Sequence, residues 1–376
     1  MTVAPAATDP YAGEVMTAGA SSAETSPGAQ PRLDRPLLSL FCGPGGLDQG
    51  FEVKGFTTLL AVDSNAIAVE TYNFNRPASP IAVRLDLATT SATYVADAWS
   101  RTAEEKGVEG GPVGVIGGPP CQAFSISNVH KFENDPRAKL PLAYAAILKE
   151  LTSRWEIDFF LFENVAGLGS ARHSDSLEEF KSRFADAGFE NVGEFTLDAV
   201  DFDVPQHRRR MFIVGTRAGA GIGFVVPTGN GGHARTVNEA IGALPEPAFF
   251  RRDLDASSIP HHPNHWCMNP RSRKFGDGSL AFGTNRGRSL RILDPSRPSW
   301  TVAYGHREVH VHPNGRRRLS VYEAMLLQGF PDDYRLCGTM SDQFRQVSDA
   351  VPPPLAAALA ESVRNMLDAM KVRLSE

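Results

Sequence analysis

What most restricts the fold of this chain is a rhythm. Short apolar runs recur along its first half, at residues 37–41, 57–62, 81–85, 113–116 and 157–162. Runs this short, bounded by Gly, Pro or acidic residues, read as buried strands. Between them lie stretches with helical character, notably 66–74 behind Asp63-Ser64-Asn65, and 142–151. Strands alternating with helices specify an α/β architecture, and open α/β sheets bind ligands beyond the carboxyl ends of their strands. The residues just after each run are therefore where chemistry is to be sought.

After the first run comes Cys42-Gly43-Pro44-Gly45-Gly46-Leu47-Asp48, a glycine-rich turn leading into helix. Glycine lets backbone approach a ligand, and a helix start offers free N–H groups. The glycine spacing departs from GxGxxG, which argues against a dinucleotide fingerprint. The second run ends at Asp63, placed either to hold ribose hydroxyls or to cap the following helix. Asp86 follows the third run. Two acids after consecutive strands beside a glycine turn suggest a nucleoside-bearing cofactor. The fourth run leads into Gly117-Gly118-Pro119-Pro120-Cys121-Gln122. Prolines end a strand and stiffen a turn. A thiol there is either a small buried apolar group or a nucleophile, and the rigid turn favours the nucleophile. The fifth run ends at Glu163-Asn164-Val165, where a carboxylate is costly unless used or paired. Finally Gln206-His207-Arg208-Arg209-Arg210 enters a further strand at 211–215, with Arg208 and Arg210 on one side by alternation.

The chain has 376 residues, enough for two or three domains, and its hydrophobic (42%) and charged (22%) fractions are ordinary for a soluble protein. Four cysteines, Cys42, Cys121, Cys267 and Cys337, form no CxxC, which fits a reducing cytosol better than a disulfide framework. No signal peptide and no membrane-spanning run is expected. The net charge is -5, yet residues 251–318 hold thirteen Lys and Arg against five Asp and Glu, pointing to an anionic partner.

Residues 1–35 read as a disordered tail, 36–217 as the main α/β domain, 218–315 as an inserted, irregular second domain, and 316–376 as a return to the first. A polar stretch from 122 to 139 reads as a loop over the site. His262, His265 and Cys267 lack a second ligand pair and read as polar loop residues rather than a zinc site. A strand is expected at 300–304. Capping boxes are expected at Ser176–Glu179 and Ser320–Glu323, with Gly188 and Gly329 closing their helices. Val351, Leu355, Leu359, Val363, Met366 and Met370 mark a last helix.

Taken together and in order, these segments resemble the bacterial cytosine-5 DNA methyltransferases. The motifs are Phe41-Cys42-Gly43-Pro44-Gly45-Gly46, Gly118-Pro119-Pro120-Cys121-Gln122, Glu163-Asn164-Val165, Gln206-x-Arg208-x-Arg210, Arg318-Leu319-Ser320 through Gln328-Gly329-Phe330-Pro331, and Val351-Pro352-Pro353. The resemblance runs from about residue 37 to the last helix. It implies a Rossmann-like seven-stranded methyltransferase sheet, a smaller, mainly β target-recognition domain, and S-adenosylmethionine as methyl donor. Phe41 and the turn through Gly43, Gly45 and Gly46 would line the donor. Asp63 would hold its ribose and Asp86 its adenine amino group, Pro120 and Leu140 would add apolar contact, and Asp349 and Val351 would close the pocket. Two departures stand out: Ser39 where an acid is common, and Ser348-Asp349 where Gly-Asn is usual.

The same resemblance makes Cys121 the nucleophile for cytosine C6. Glu163 would hold the N3 and amino edge with a raised pKa, and Arg208 and Arg210 would hold the cytosine O2 and the carboxylate. The target base lies inside a duplex, so it must be flipped out. The implied substrate is a specific double-stranded DNA sequence, with a cognate restriction endonuclease acting on the same sequence, and the enzyme a cytoplasmic, nucleoid-associated monomer. Three rivals remain at this stage: a transfer RNA methyltransferase, a non-catalytic DNA-binding homologue, and a nicotinamide oxidoreductase.

Overall fold

Each apolar run is a strand, and all join one sheet. They are β1 (Pro36–Leu40), β2 (Thr57–Asp63), β3 (Ala82–Arg84), β4 (Gly114–Gly117) and β5 (Phe159–Val165), joined by β6 (Phe189–Asp198) and β7 (Arg209–Arg217). The computed structural model describes residues 35–120, 139–229, 231–232, 234–277, 280, 290–301 and 310–375. These fall within one unit, Leu33–Glu376. Strand order is β3-β2-β1-β4-β5-β7-β6. The first five strands run parallel, and β7 lies antiparallel between β5 and β6.

The central strands β1, β2, β4 and β5 are largely apolar because both faces of the sheet are covered there. On one face Leu38, Leu40, Phe160 and Phe162 meet Trp99 of α3 (Ala92–Glu105), Tyr144 of α4 (Leu140–Arg154) and Phe184 of α5 (Ser174–Asp186). On the other, Leu37, Phe159 and Leu161 meet Phe51 of α1 (Gly46–Glu52) and Leu355, Leu359 and Val363 of the last helix, α9 (Pro353–Ser375). Gly50 lets α1 and α9 touch, since a Cβ there would lie 2.3 Å from that of Ala356. The apolar positions read for the last helix, from Leu355 to Met370, are all buried.

Two local expectations need correction. Helix α5 begins at Ser174 behind a 3-10 turn, so Ser176 lies inside it and caps nothing; a cap needs non-helical backbone. Strand β5 ends at Glu163-Asn164-Val165, as expected. Pairing with β7 carries it through Glu163, opposite Phe212, to Val165, opposite Arg210. Trp300 and Thr301 are not in a strand, and only Ser299 bridges to Gln206; the remainder of that expected strand, 302–304, lies outside the described residues. The Ser320 box is present, with Glu323 answering it, at the start of α7 (Val321–Leu327).

Between β7 and α7 the described strands are two residues long. Ala248–Phe249 pairs with Trp266–Cys267, and Arg291–Ile292 with His310–Val311. Val237 and Ile241 of the short helix α6 (Val237–Ile241) and Leu293 share a core with α7 and with α8 (Met340–Asp349).

Candidate active site

The strand order reverses between β1 and β4, whose last residues, Leu40 and Gly117, pair directly. From there the chain leaves β1 toward β2, and leaves β4 toward β5. The two departing turns open a crevice, the place where doubly wound sheets bind ligands. A cavity of about 300 Å³ fills it. Phe41, Gly43, Pro44 and Gly46 line one wall; Gly118, Pro119, Pro120 and Glu163 line another; Asp349, Ala350 and Val351 close it.

The glycine turn needs its glycines. Phe41, Gly43 and Gly45 all have positive φ (54°, 55° and 89°), a region costly for side chains larger than hydrogen. Gly46 abuts the closing segment, because a Cβ there would meet Val351 O at 2.4 Å. Asp63 fixes the turn from the neighbouring strand: its Oδ2 accepts the Gly43 N–H at 2.9 Å and its Oδ1 the Asn65 N–H at 2.8 Å. The cap of helix α2 (Ala66–Phe74) is Asn65, whose side chain accepts from Ile67 and Ala68. Asp63 is thus left to face the cavity, and burial pushes its carboxyl above the usual range.

A further acid, Asp48, was not read from the sequence. It is fully buried on α1, accepts hydrogen bonds from Ser39 (2.9 Å), Thr58 (3.0 Å) and Tyr72 (3.0 Å), and borders the cavity. Ser39 therefore stands beside a carboxylate rather than being one. The available signal was Asp48 within the first turn of an otherwise apolar helix start. Beneath the same turn, Tyr334 O–H donates to Pro44 O, and Arg76 stacks on Tyr72 and pairs with Glu52.

On the β5 side, Glu163 is 8% exposed and pairs with Arg210 Nε at 2.9 Å. Burial raises its carboxyl above the usual range, with Arg210 and Arg208 pulling the other way. Gly118 presses against it so closely that a Cβ would sit 2.5 Å from Glu163 Oε2. Asn164 Nδ2 donates to Pro119 O at 3.3 Å, tying the proline turn to β5. Cys121, the next residue after this turn, lies outside the described residues, as does the expected loop through residue 138. Burial pushes the three described thiols up: Cys42 well above its ordinary value, Cys267 to about 12 and Cys337 to about 11.

Among the described residues, four expected site residues do not line the cavity. Asp86 is exposed, and its Oδ1 accepts the Ala88 N–H at 3.0 Å, shaping a turn. Leu140 is buried at the start of α4. Gly45 backs onto Tyr72, Arg76 and Tyr334. Arg208 is 1% exposed, and its Nη2 donates to the carbonyls of Ser348 and Ala350. The residues expected as polar loop are buried instead. His262 stacks on Tyr322 at 4.1 Å, His265 bridges Ser320 Oγ and Pro245 O, and Cys267 packs in its short strand. Among the described residues no group of three or more His, Cys, Asp or Glu could hold a metal ion.

A family model for the C-5 cytosine-specific DNA methylases matches residues 36–365. The chain belongs to this family. The type II methyltransferase M.MthTI of Methanothermobacter thermautotrophicus is 31% identical over 359 residues, covering 89% of this chain and 99% of that one. The type II methyltransferase M1.HphI of Haemophilus parahaemolyticus is 33% identical over 347 residues, covering 88% and 86%. A solved structure from an E. coli prophage, assigned as a DNA modification methyltransferase, superposes with a TM-score of 0.71 at 24% identity, over 89% of this chain and 99% of that one; this likeness bears on the fold.

The methylase acts on DNA, and its methyl donor is S-adenosylmethionine. The crevice fits that donor. A carboxylate, Asp63, stands at the end of the second strand, a cradle of glycines has no room for side chains at Gly46, and the β4 turn adds proline surface. Among the described residues no helix is long and apolar enough to cross a membrane.

Proposed function

We propose that this methylase modifies one cytosine within a specific duplex sequence as the modification enzyme of a restriction–modification system. The reading is carried by one observation: the Glu163–Arg210 pair lines the same cavity as Asp63 and the glycine turn. A base-holding carboxylate and a donor seat sharing one space are what methyl transfer to a base requires. The names of M.MthTI and M1.HphI, both type II methyltransferases, support the biological setting and a cognate endonuclease.

In this reading residues 36–217 and 316–376 form the catalytic domain and 218–315 the target-recognition domain, whose excess of arginine faces DNA. Phosphate contacts would supply affinity and a few side chains would read base edges. The flipped cytosine enters the crevice. Cys121 Sγ adds to C6, breaking the C5–C6 double bond and moving electron density toward C5 and N3. The upward shift of the Glu163 carboxyl suits it to carry a proton for N3 while it accepts from the amino group. Arg210 holds Glu163 in place and faces the cavity, where it can also meet the cytosine O2. Arg208 acts as a positioning residue, through the 348–350 backbone. S-adenosylmethionine, when bound, supplies an electrophilic methyl group for C5. The C5 proton then leaves to a base, the C5–C6 double bond reforms, and the Cys121 thiolate departs. The proposal includes a monomer working in the cytoplasm, at the nucleoid.

The assignment of Cys121 is supported by the upward-shifted thiols of buried Cys42 and Cys267 and of half-buried Cys337. Cys121→Ala should abolish methylation of DNA and keep S-adenosylmethionine binding; retained turnover refutes the nucleophile. DNA carrying 5-fluorocytosine should form a covalent adduct that mass spectrometry places on Cys121, and an adduct on Cys42 overturns the assignment. Expression in a host lacking cytosine methylation, followed by bisulfite sequencing, reads out the target sequence.

A further inference from the structure

Asp349 is the last residue of α8, and the chain on both sides of it is fixed. Arg208 Nη2 donates to the carbonyls of Ser348 and Ala350, and Gln328 Nε2 donates to Ala350 O at 2.7 Å. Val351 O is held against Gly46. The Asp349 side chain therefore leaves a turn that cannot swing, and it lines the cavity. Among the described residues no hydrogen bond or ion pair engages its carboxylate, which is exposed and lines the cavity. The charged groups facing it are Asp63 from β2, Arg208 and Arg210 at β7, Glu163 from β5 and Arg345 from its own helix.

The position of Asp349 along the cavity matters. Asp63 marks the nucleoside end, and Glu163 with Arg210 marks the end that meets the target base. The transferred methyl must lie between them. Asp349 lines the same cavity as Asp63 and Glu163, so its carboxylate can border the stretch where the donor's sulfur sits. That sulfur carries a full positive charge before transfer and none after it. A fixed anion there stabilises the donor more than the product, because charge–charge attraction is strong where water is partly excluded.

We infer that Asp349 is a charge-selecting residue, which distinguishes S-adenosylmethionine from the neutral-sulfur product S-adenosylhomocysteine and so favours product release. An asparagine at this position would give hydrogen bonds without the charge. The inference rests on the reading that this cavity seats the donor.

The test is calorimetric titration of the full chain with three ligands: S-adenosylmethionine, S-adenosylhomocysteine, and sinefungin, which carries an ammonium in place of the methylsulfonium. Asp349→Asn is isosteric, so folding should survive. It should weaken the two cationic ligands about tenfold, ~1.4 kcal/mol, and leave S-adenosylhomocysteine within about twofold. Equal weakening of all three, or no change in any, overturns the inference. Asp349→Glu, which keeps the charge, should retain more donor preference than Asp349→Asn; the reverse order also overturns it. Asp63→Ala separates the two readings. If it weakens all three ligands while Asp349→Asn changes none, charge selection alone fails. If neither variant changes any ligand, the cavity is not the donor's seat and both readings fail.

Discussion

Gly118→Ala tests the geometry of the base-holding carboxylate with the addition of one methyl group. Gly118 does not have positive φ, so alanine suits its backbone. The added Cβ would lie 2.5 Å from Glu163 Oε2, while its next neighbours, Glu163 Cβ and O, lie at an ordinary 3.4 Å. The strain therefore falls on one carboxylate oxygen, which must retreat by about 0.9 Å to reach ordinary contact. It cannot do so freely, because Arg210 Nε holds the partner oxygen at 2.9 Å. A misplacement of this size in a reacting group costs roughly 10²-fold in rate, ~2.7 kcal/mol of barrier. Single-turnover methylation of a cognate duplex should slow by about that factor, with S-adenosylhomocysteine affinity and melting temperature near wild type. Gly117→Ala is the contrast. Its Cβ would meet Leu40 O at 2.2 Å, a backbone atom in the middle of the sheet, so it should lower the melting temperature and donor affinity together. A Gly118→Ala enzyme with wild-type turnover, or one that loses donor binding as steeply as rate, refutes the argument.

Two predictions concern stability. Arg317 and Glu323 are nearly inaccessible to solvent and doubly hydrogen-bonded at 2.9 and 2.8 Å, and Glu323 also answers the Ser320 cap. Glu323→Ala leaves a buried cation without its main partner and should cost about 3–5 kcal/mol by denaturant unfolding; a loss under about 1 kcal/mol, the scale of a surface pair, refutes it. His262 is held neutral, its pKa lowered to about 4 chiefly by burial. Its folded pKa lies below the unfolded value, so the unfolded chain binds the extra proton first as pH falls below about 6.5. The stability this residue contributes is complete above that pH and drains away toward pH 4. His262→Phe, which keeps the stack on Tyr322 but loses the bond from Asn264 N–H, should lower the melting temperature at pH 7 yet shrink its further fall between pH 6.5 and 4.5; an unchanged pH slope sinks the idea.

What could be read from the sequence was what is local. The apolar runs at β1, β2, β4 and β5 and the glycine and proline turns behind them are short-range signals, and the chain obeys them within a residue or two. Asn65, Gly43 and the Ser320–Glu323 box likewise follow from backbone needs within a few positions. Placing Glu163 and Asp63 at strand ends was therefore enough to locate the crevice. Strand β6 was missed because it has no apolar run and only Phe189 of it is buried: it sits at the sheet edge and owes its place to the open hydrogen-bonding edge of β7. Helices α3 and α8 were passed over as well.

The chain alone determined which chemical groups stand at the strand ends, since strand, turn and cap are decided by neighbours a few positions apart. Only the tertiary structure decided how they are used. Asp48 is stabilised by hydroxyls 9, 10 and 24 positions away, Arg208 is turned onto carbonyls 140 and 142 positions on, and Asp86 is left outside the cavity. Such pairings depend on which buried polar groups the packed sheet and helices bring within hydrogen-bonding distance. No local pattern encodes that, because the cost of leaving those groups unpaired arises only once water has been excluded.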